Sequence, residues 1–102
     1  MPTVYITAPP EDAAGIARTL VEERLAACVN RVACDSIYRW QGEVHTDDEV
    51  VLLAKTTDGA YPALRDRVVE MHPHDVPCIE RFEETATLGA FDEWRADSVD
   101  DE

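Results

Sequence analysis

The sequence predicts an α+β fold, a ferredoxin-like βαββαβ sandwich with an extra C-terminal helix and a long hairpin joining its second and third strands. Three observations carry that reading. Runs rich in β-branched and aromatic residues alternate with segments whose apolar residues recur every three or four positions. Proline, glycine or short polar clusters punctuate the changes of period. A chain of 102 residues, 45% apolar, can bury one modest core but not two, so residues 1–102 are expected to form one domain.

Thr3 to Ala8 reads as a first strand, stopped by Pro9-Pro10. A helix follows, with Glu11 and Asp12 at its positive end and Ala13, Ile16, Ala17, Leu20 and Val21 on its apolar stripe, closing near Arg24 to Ala26. From Cys28 to Trp40 the composition turns to strand type, which predicts one long strand with room for a bulge. Gln41-Gly42 and the polar stretch from His45 to Asp48 suggest the turn, and Glu49 to Thr56, with Val50-Val51-Leu52-Leu53-Ala54 unbroken, the returning strand.

Thr57 or Asp58 can cap a second helix carrying Tyr61, Leu64, Val68 and Met71, with Pro62 in its first turn and His72-Pro73 at its end. Val76 to Phe82 reads as a strand whose Pro77 implies an edge position or a late start. Thr87 is expected to cap a last helix bearing Leu88, Phe91 and Trp94, and the acidic tail 97–102 to fray.

Two strands of about fifteen residues would run on the order of 50 Å, against about 35 Å across a compact domain of this length. The hairpin must therefore bend sharply or leave its own domain. If it leaves, Tyr38 and Trp40 need burial elsewhere, and another copy of the chain is the simplest supplier.

Composition excludes several functions. A formal charge of -13, from 22 acidic and 9 basic residues, would repel a phosphate backbone, and the arginines form no cluster, so no nucleic-acid partner is expected. No apolar run approaches the ~18 residues a membrane span needs, and no signal segment opens the chain, which predicts a cytosolic protein. Cys28, Cys34 and Cys78 lack a C-x-x-C spacing and read as free thiols. The charge also suggests a salt-rich cytoplasm, because at 1 M salt the Debye length falls to about 3 Å and self-repulsion fades. None of the phosphate-loop, nucleophile-elbow, H-E-x-x-H or dinucleotide-binding patterns occurs, so no enzymatic activity is expected.

Leu25-Ala26-Ala27-Cys28-Val29-Asn30, Ser36-x-Tyr38-x-Trp40-x-Gly42, Glu49, Lys55-Thr56 and His72-Pro73-x-x-x-Pro77 together resemble the CutA divalent-ion tolerance family, as do Thr7-Ala8-Pro9 and Trp94. The resemblance covers almost the whole chain. It implies a ferredoxin-like fold, a cytosolic homotrimer whose hairpins pair across subunits, and binding of divalent metal ions, usually copper. The copper site proposed for some members uses a first-strand cysteine and two adjacent histidines before the proline. Ile6 and Met71 stand in two of those places here, and only His72 matches. Where the family usually has a tyrosine after His-Pro, this chain has His74, a second imidazole.

The candidate metal ligands are therefore His72 and His74, since neutral imidazole is a common ligand for copper, zinc and nickel. A histidine ending a helix can equally bond its free carbonyls. Cys28 reads as a small buried hydrophobe, Cys78 could join His74 in a soft-metal pair, and His45 sits at the expected hairpin tip. Tyr38 and Trp40 share a face and are assigned to a subunit interface rather than a ligand platform. Lys55, the only lysine, would suit a carboxylate such as Glu49 or an anionic ligand. With Glu49 and Arg39 it marks an alternative, a trimeric signalling module holding a small anion in clefts between subunits.

Overall fold

The computed structural model describes residues 1–100. Among these, the elements run β1 (Pro2–Ala8), α1 (Pro10–Glu22), β2 (Cys28–Trp40), β3 (Glu43–Lys55), α2 (Tyr61–Met71), β4 (Ile79–Glu83) and α3 (Gly89–Ser98). The strands form one antiparallel sheet in the order β2-β3-β1-β4. Each βαβ half thus places its second strand on an opposite side of the sheet, which is the ferredoxin-like arrangement.

β1 shows why the sheet has two unlike faces. Its burial alternates strictly, with Pro2, Val4, Ile6 and Ala8 covered and Thr3, Tyr5 and Thr7 only partly so. Val4 and Ile6 lie opposite Ala54 and Leu52, and this side packs on Ala13, Ile16, Ala17 and Leu20 of α1 and Leu64 and Val68 of α2. Truncating Ile6 or Leu52 to alanine there would cost about 2–5 kcal/mol. Among the described residues, no helix covers the other face. α1 and α2 cross the first face because their stripes repeat every three or four residues, although Val21 falls off the edge of its stripe and is exposed.

The hairpin register is continuous, from Cys28 opposite Lys55 to Trp40 opposite Glu43, so the strand carries no bulge. The turn is confined to Gln41 (φ 51) and Gly42 (φ 82), a two-residue loop with both φ positive, matching the twist of the flanking strands. His45 to Asp48 belong to β3 instead of the turn. β1 reaches only from Lys55 to Val50, leaving Glu43 to Glu49 without a neighbour on that side. The outer half of the hairpin is an arm, and the molecule measures 44 × 26 × 19 Å.

Other boundaries differ from expectation for local reasons. β4 starts at Ile79, since Pro77 cannot donate to a ladder. Thr57 turns the chain by accepting a hydrogen bond from the Ala60 N–H, and α2 itself begins at Tyr61. Leu88, not Thr87, precedes α3, with no side-chain cap.

The acidic tail is anchored as far as the structure describes it, contrary to the expected fraying. Asp97 and Ser98 are helical, Val99 is buried, and the Asp100 N–H donates to the Arg24 carbonyl. Arg24 in turn donates to the Asp97 carbonyl at 2.8 Å. Arg24 adopts φ 60 and closes α1 with bonds from its own N–H to Val21 and from Leu25 to Leu20, the pattern in which a left-handed residue satisfies the last helical carbonyls. Residues 101–102 of the expected tail lie outside the described residues.

α3 is pinned by Arg95, which is fully buried. Its guanidinium donates to the Pro2 carbonyl (3.1 Å) and to Glu84 Oε1 (2.8 Å), which also accepts from the Thr3 hydroxyl. Burial alone would raise the Glu84 pKa, but the bonds from Thr3 and Arg95 outweigh it and hold the carboxyl below its ordinary value of 4.5. A depressed carboxyl stabilises the fold above its unfolded pKa and loses that contribution as pH falls through the folded one. Glu84→Gln should therefore cost about 2 kcal/mol near pH 7, by taking from the buried Arg95 its closer carboxylate and leaving only Asp92 at 3.5 Å as a charged partner. The gap between wild type and variant in denaturant melts should close as pH drops below 4.5.

Candidate functional site

The arm decides where a site can form. Residues that pair directly point the same way, so Ser36, Tyr38 and Trp40 stand on the uncovered face with Asp47, His45 and Glu43 opposite them, and Cys34 opposite Glu49. Between this side of the arm, the sheet floor at Tyr5, Thr7 and Cys78, and the 73–76 loop lies a cleft of about 760 Å³. Arg39, Glu49, His74, Asp75 and Glu80 complete its wall. A second hollow of about 420 Å³ adjoins it, where His74 meets Glu11, Asp47, Asp48 and Glu49.

The two candidate imidazoles behave differently. His72 is 7% exposed, and its Nε2–H donates to the Thr7 carbonyl at 2.7 Å. Its Nδ1 accepts the His74 N–H at 3.1 Å, so both ring nitrogens are in use and the ring is the Nε2-protonated tautomer. It serves β1 and the following loop, and not the helix carbonyls. A metal could take His72 only by displacing one of these partners. The His74 ring is exposed, packs on His72 at 4.9 Å and lines both hollows.

The three residues of the anionic-ligand alternative are not gathered. Arg39 and Glu49 line the cleft, but Lys55 lies six residues along β3 from Glu49, roughly 20 Å away at ~3.3 Å per residue. Within one chain that separation keeps Lys55 from pairing with Glu49. Arg39 donates to the Gly42 carbonyl at the turn.

Cys28 and Cys34 are six residues apart on one face, free and half-buried, so Cys28 is less enclosed than expected. Cys78 donates weakly to Glu80 at 3.6 Å, and burial followed by that carboxylate pushes its thiol pKa up. The thiol is thereby held protonated and weakly nucleophilic. His45 stacks on Tyr38 from near the start of β3, with 5.6 Å between rings. Tyr38 bonds Asp47, which is the main reason its pKa is raised. Across the arm, Asp35 and Asp48 stand directly opposite, and sharing a hydrogen bond with Asp35 raises Asp48. Among the described residues no three His, Cys, Asp or Glu side chains converge to hold a metal ion.

Tyr5 and Glu80 were not marked by sequence reasoning. Tyr5 sits in the cleft floor, its phenol raised by burial and then by Cys34, Cys78, Glu80 and Glu49. Its signal was the alternation of β1, which puts Thr3, Tyr5 and Thr7 on the face opposite Val4 and Ile6.

This sequence and this fold have counterparts among known proteins. Residues 2–98 match the family model of the CutA1 divalent ion tolerance protein. The chain belongs to the CutA1 family. A divalent-cation tolerance protein CutA of Thermus thermophilus is 59% identical over 76 residues, covering 72% of this chain and 74% of that one. One of Archaeoglobus fulgidus is 36% identical over 98 residues, covering 95% and 96%. Among solved structures, the PII-like protein CutA of Nostoc superimposes with a TM-score of 0.96 at 34% identity over the full length of both chains. The Thermus thermophilus protein gives 0.92 at 47% identity, covering 98% of this chain and 100% of that one. The CutA fold is thus common to chains that differ at about two thirds of their positions. No helix among the described residues is long and apolar enough to cross a membrane.

Because Thr7 and His74 lose their partner together, His72→Ala should lower stability by about 2 kcal/mol in metal-free buffer, from an unsatisfied carbonyl and a small cavity. Urea melts in the presence of a chelator measure it.

Proposed function

We propose that this CutA1 protein is a homotrimer that binds divalent metal ions, copper foremost, and serves metal tolerance by coordination and not by turnover. The observation that carries the reading is the uncovered sheet face. Val32, Tyr38, Trp40 and Phe82 are 51%, 36%, 42% and 50% exposed there, and a face of this kind needs a partner. A further copy of the chain supplies an identical apolar face, and closed symmetry buries all of them at once. Tyr38 and Trp40, on an arm with no neighbour of its own, are the proposed anchors of that interface.

His74 is the proposed metal ligand. Its exposed ring stands beside the carboxylates of the smaller hollow, whereas His72 acts by holding the loop that presents it. One chain brings too few donors together, so the coordination sphere is proposed to close with groups from a neighbouring subunit. The names of the relatives, divalent-cation tolerance proteins, support the metal class. We place the protein in a salt-rich cytosol on the strength of its charge of -13.

Sedimentation should give a trimer for wild type and smaller species for Trp40→Asp, while a wild-type monomer defeats the assembly. Titration calorimetry with Cu²⁺ should show saturable binding that His74→Ala weakens at least tenfold. Absence of wild-type uptake defeats the metal reading.

The charge makes its own demand. Thermal melts should rise by several degrees between dilute buffer and 1 M potassium chloride, as the Debye length shrinks from about 30 to 3 Å. Equal melting in both would remove the argument for a salt-rich setting.

A further inference from the structure

α3 is attached to the sandwich by contacts of a different kind from those that join the sandwich's own parts. The main apolar core is built from β1, α1, β3, α2 and Ala26, and no residue of α3 belongs to it. The C-terminal segment contributes Val99 instead, which closes a separate cluster with two alanines, Ala27 and Ala60. Leu88 and Trp94 stay 76% and 45% exposed. The rest of the attachment is polar. Buried Arg95 donates to Glu84, to the Pro2 carbonyl and, at longer range, to the Thr56 carbonyl. Arg24 donates to the Asp97 carbonyl, and the Asp100 N–H donates to the Arg24 carbonyl. Two buried atoms of this network, Arg95 Nε and Glu84 Oε2, have no hydrogen-bond partner among the described residues, so it holds less firmly than its bonds suggest. Residues 89–100 also carry Asp92, Glu93, Asp97 and Asp100 against the single cation Arg95, in a chain of formal charge -13. Docking the segment brings like charge onto like charge.

We propose that α3 and residues 99–100 form a salt-responsive strap, which opens as a unit in dilute solution while the sandwich stays folded and closes at high ionic strength, with the Arg95–Glu84 contact as its catch. Segments with little apolar burial open locally, at a free energy below that of unfolding the core. Repulsion between exposed carboxylates falls away as the Debye length shrinks to about 3 Å at 1 M salt, whereas a buried ion pair is screened much less. Salt therefore removes what pushes the strap off and spares what holds it. Opening bares Ala27, Ala60 and the Pro2 and Thr56 carbonyls, at the end of the sheet away from the hairpin turn. The strap thus links the acidic composition of the chain to a conformational change, and it does so without the metal ligands.

Native-state hydrogen exchange on the full chain, metal-free and in its native assembly, reads α3 and the core separately. In 0.05 M potassium chloride the α3 amides are expected to exchange, relative to their intrinsic rates, at least a hundredfold faster than those of Val4, Ile6 and Leu52. In 1 M potassium chloride they should slow at least tenfold. Glu84→Gln should speed exchange along the whole of α3 at least tenfold at both salt concentrations, and Val99→Ala should do the same. The double variant Glu93→Gln, Asp97→Asn, which removes two exposed carboxylates from the strap, should slow α3 at least threefold in dilute salt and reduce its response to added salt. Ile16→Val, in the main core, should speed the core amides about fivefold and leave α3 within twofold, because a strap that opens first does not sense the stability of the core. Any of four results would overturn the proposal: α3 protected as strongly as the core, Ile16→Val speeding both equally, α3 exchange that ignores salt, or Glu84→Gln without effect on α3.

Discussion

The structure turns on one mismatch of length. β2 and β3 pair over thirteen residues each, but β1 can support only the six from Val50 to Lys55. The inner half of the hairpin becomes the side of a sandwich, sealed by two helices. The outer half has a complete internal ladder and, among the described residues, no strand paired beside it. Both hollows described above exist because that arm overhangs the sheet and the 73–76 loop rises to meet it.

Within the sandwich, buried side chains such as His72 and Arg95 are held by a few long-range contacts rather than by local capping, although Arg95 Nε and Glu84 Oε2 have no hydrogen-bond partner among the described residues. None of the three helices has a side-chain N-cap bond, and the long-range contacts lie at their C-terminal ends instead. Arg95 ties α3 to the first residues of β1, and Arg24 ties the end of α1 to the chain after α3. His72 joins the end of α2 to Thr7. Residues that look like surface charge or chemistry in the sequence therefore act as fasteners between segments distant in the chain. Their burial makes them costly to unpair.

The same logic separates the two histidines. A ring whose nitrogens both have partners is part of the frame, and a ring that faces open space is available for chemistry. Adjacency in the sequence concealed the difference, since His72 and His74 are two residues apart. Charge acts in the opposite sense on the arm, where Asp35 and Asp48 face each other and, among the described residues, no ion pair reaches Glu49. An arm that carries unpaired carboxylates and exposed aromatic rings is poorly suited to isolation, and its energetics point outward to cations and to other copies.

By itself, the sequence determined the order of elements, the amphipathic stripe of α1, the edge position of the strand after Pro77, and a hairpin longer than its domain. These follow from local periodicity and from residues whose backbone limits do not depend on context. The family resemblance was equally legible, because its motifs lie in continuous runs such as Leu25 to Trp40. Tertiary structure alone decided that His72 bonds Thr7, that Arg95 is buried against Glu84, that the tail docks on Arg24, and that Tyr5 and Glu80 share a cleft with Trp40. Each of these joins positions far apart in the chain, and whether a polar atom is paired or free depends on which partner folding brings within about 3 Å of it.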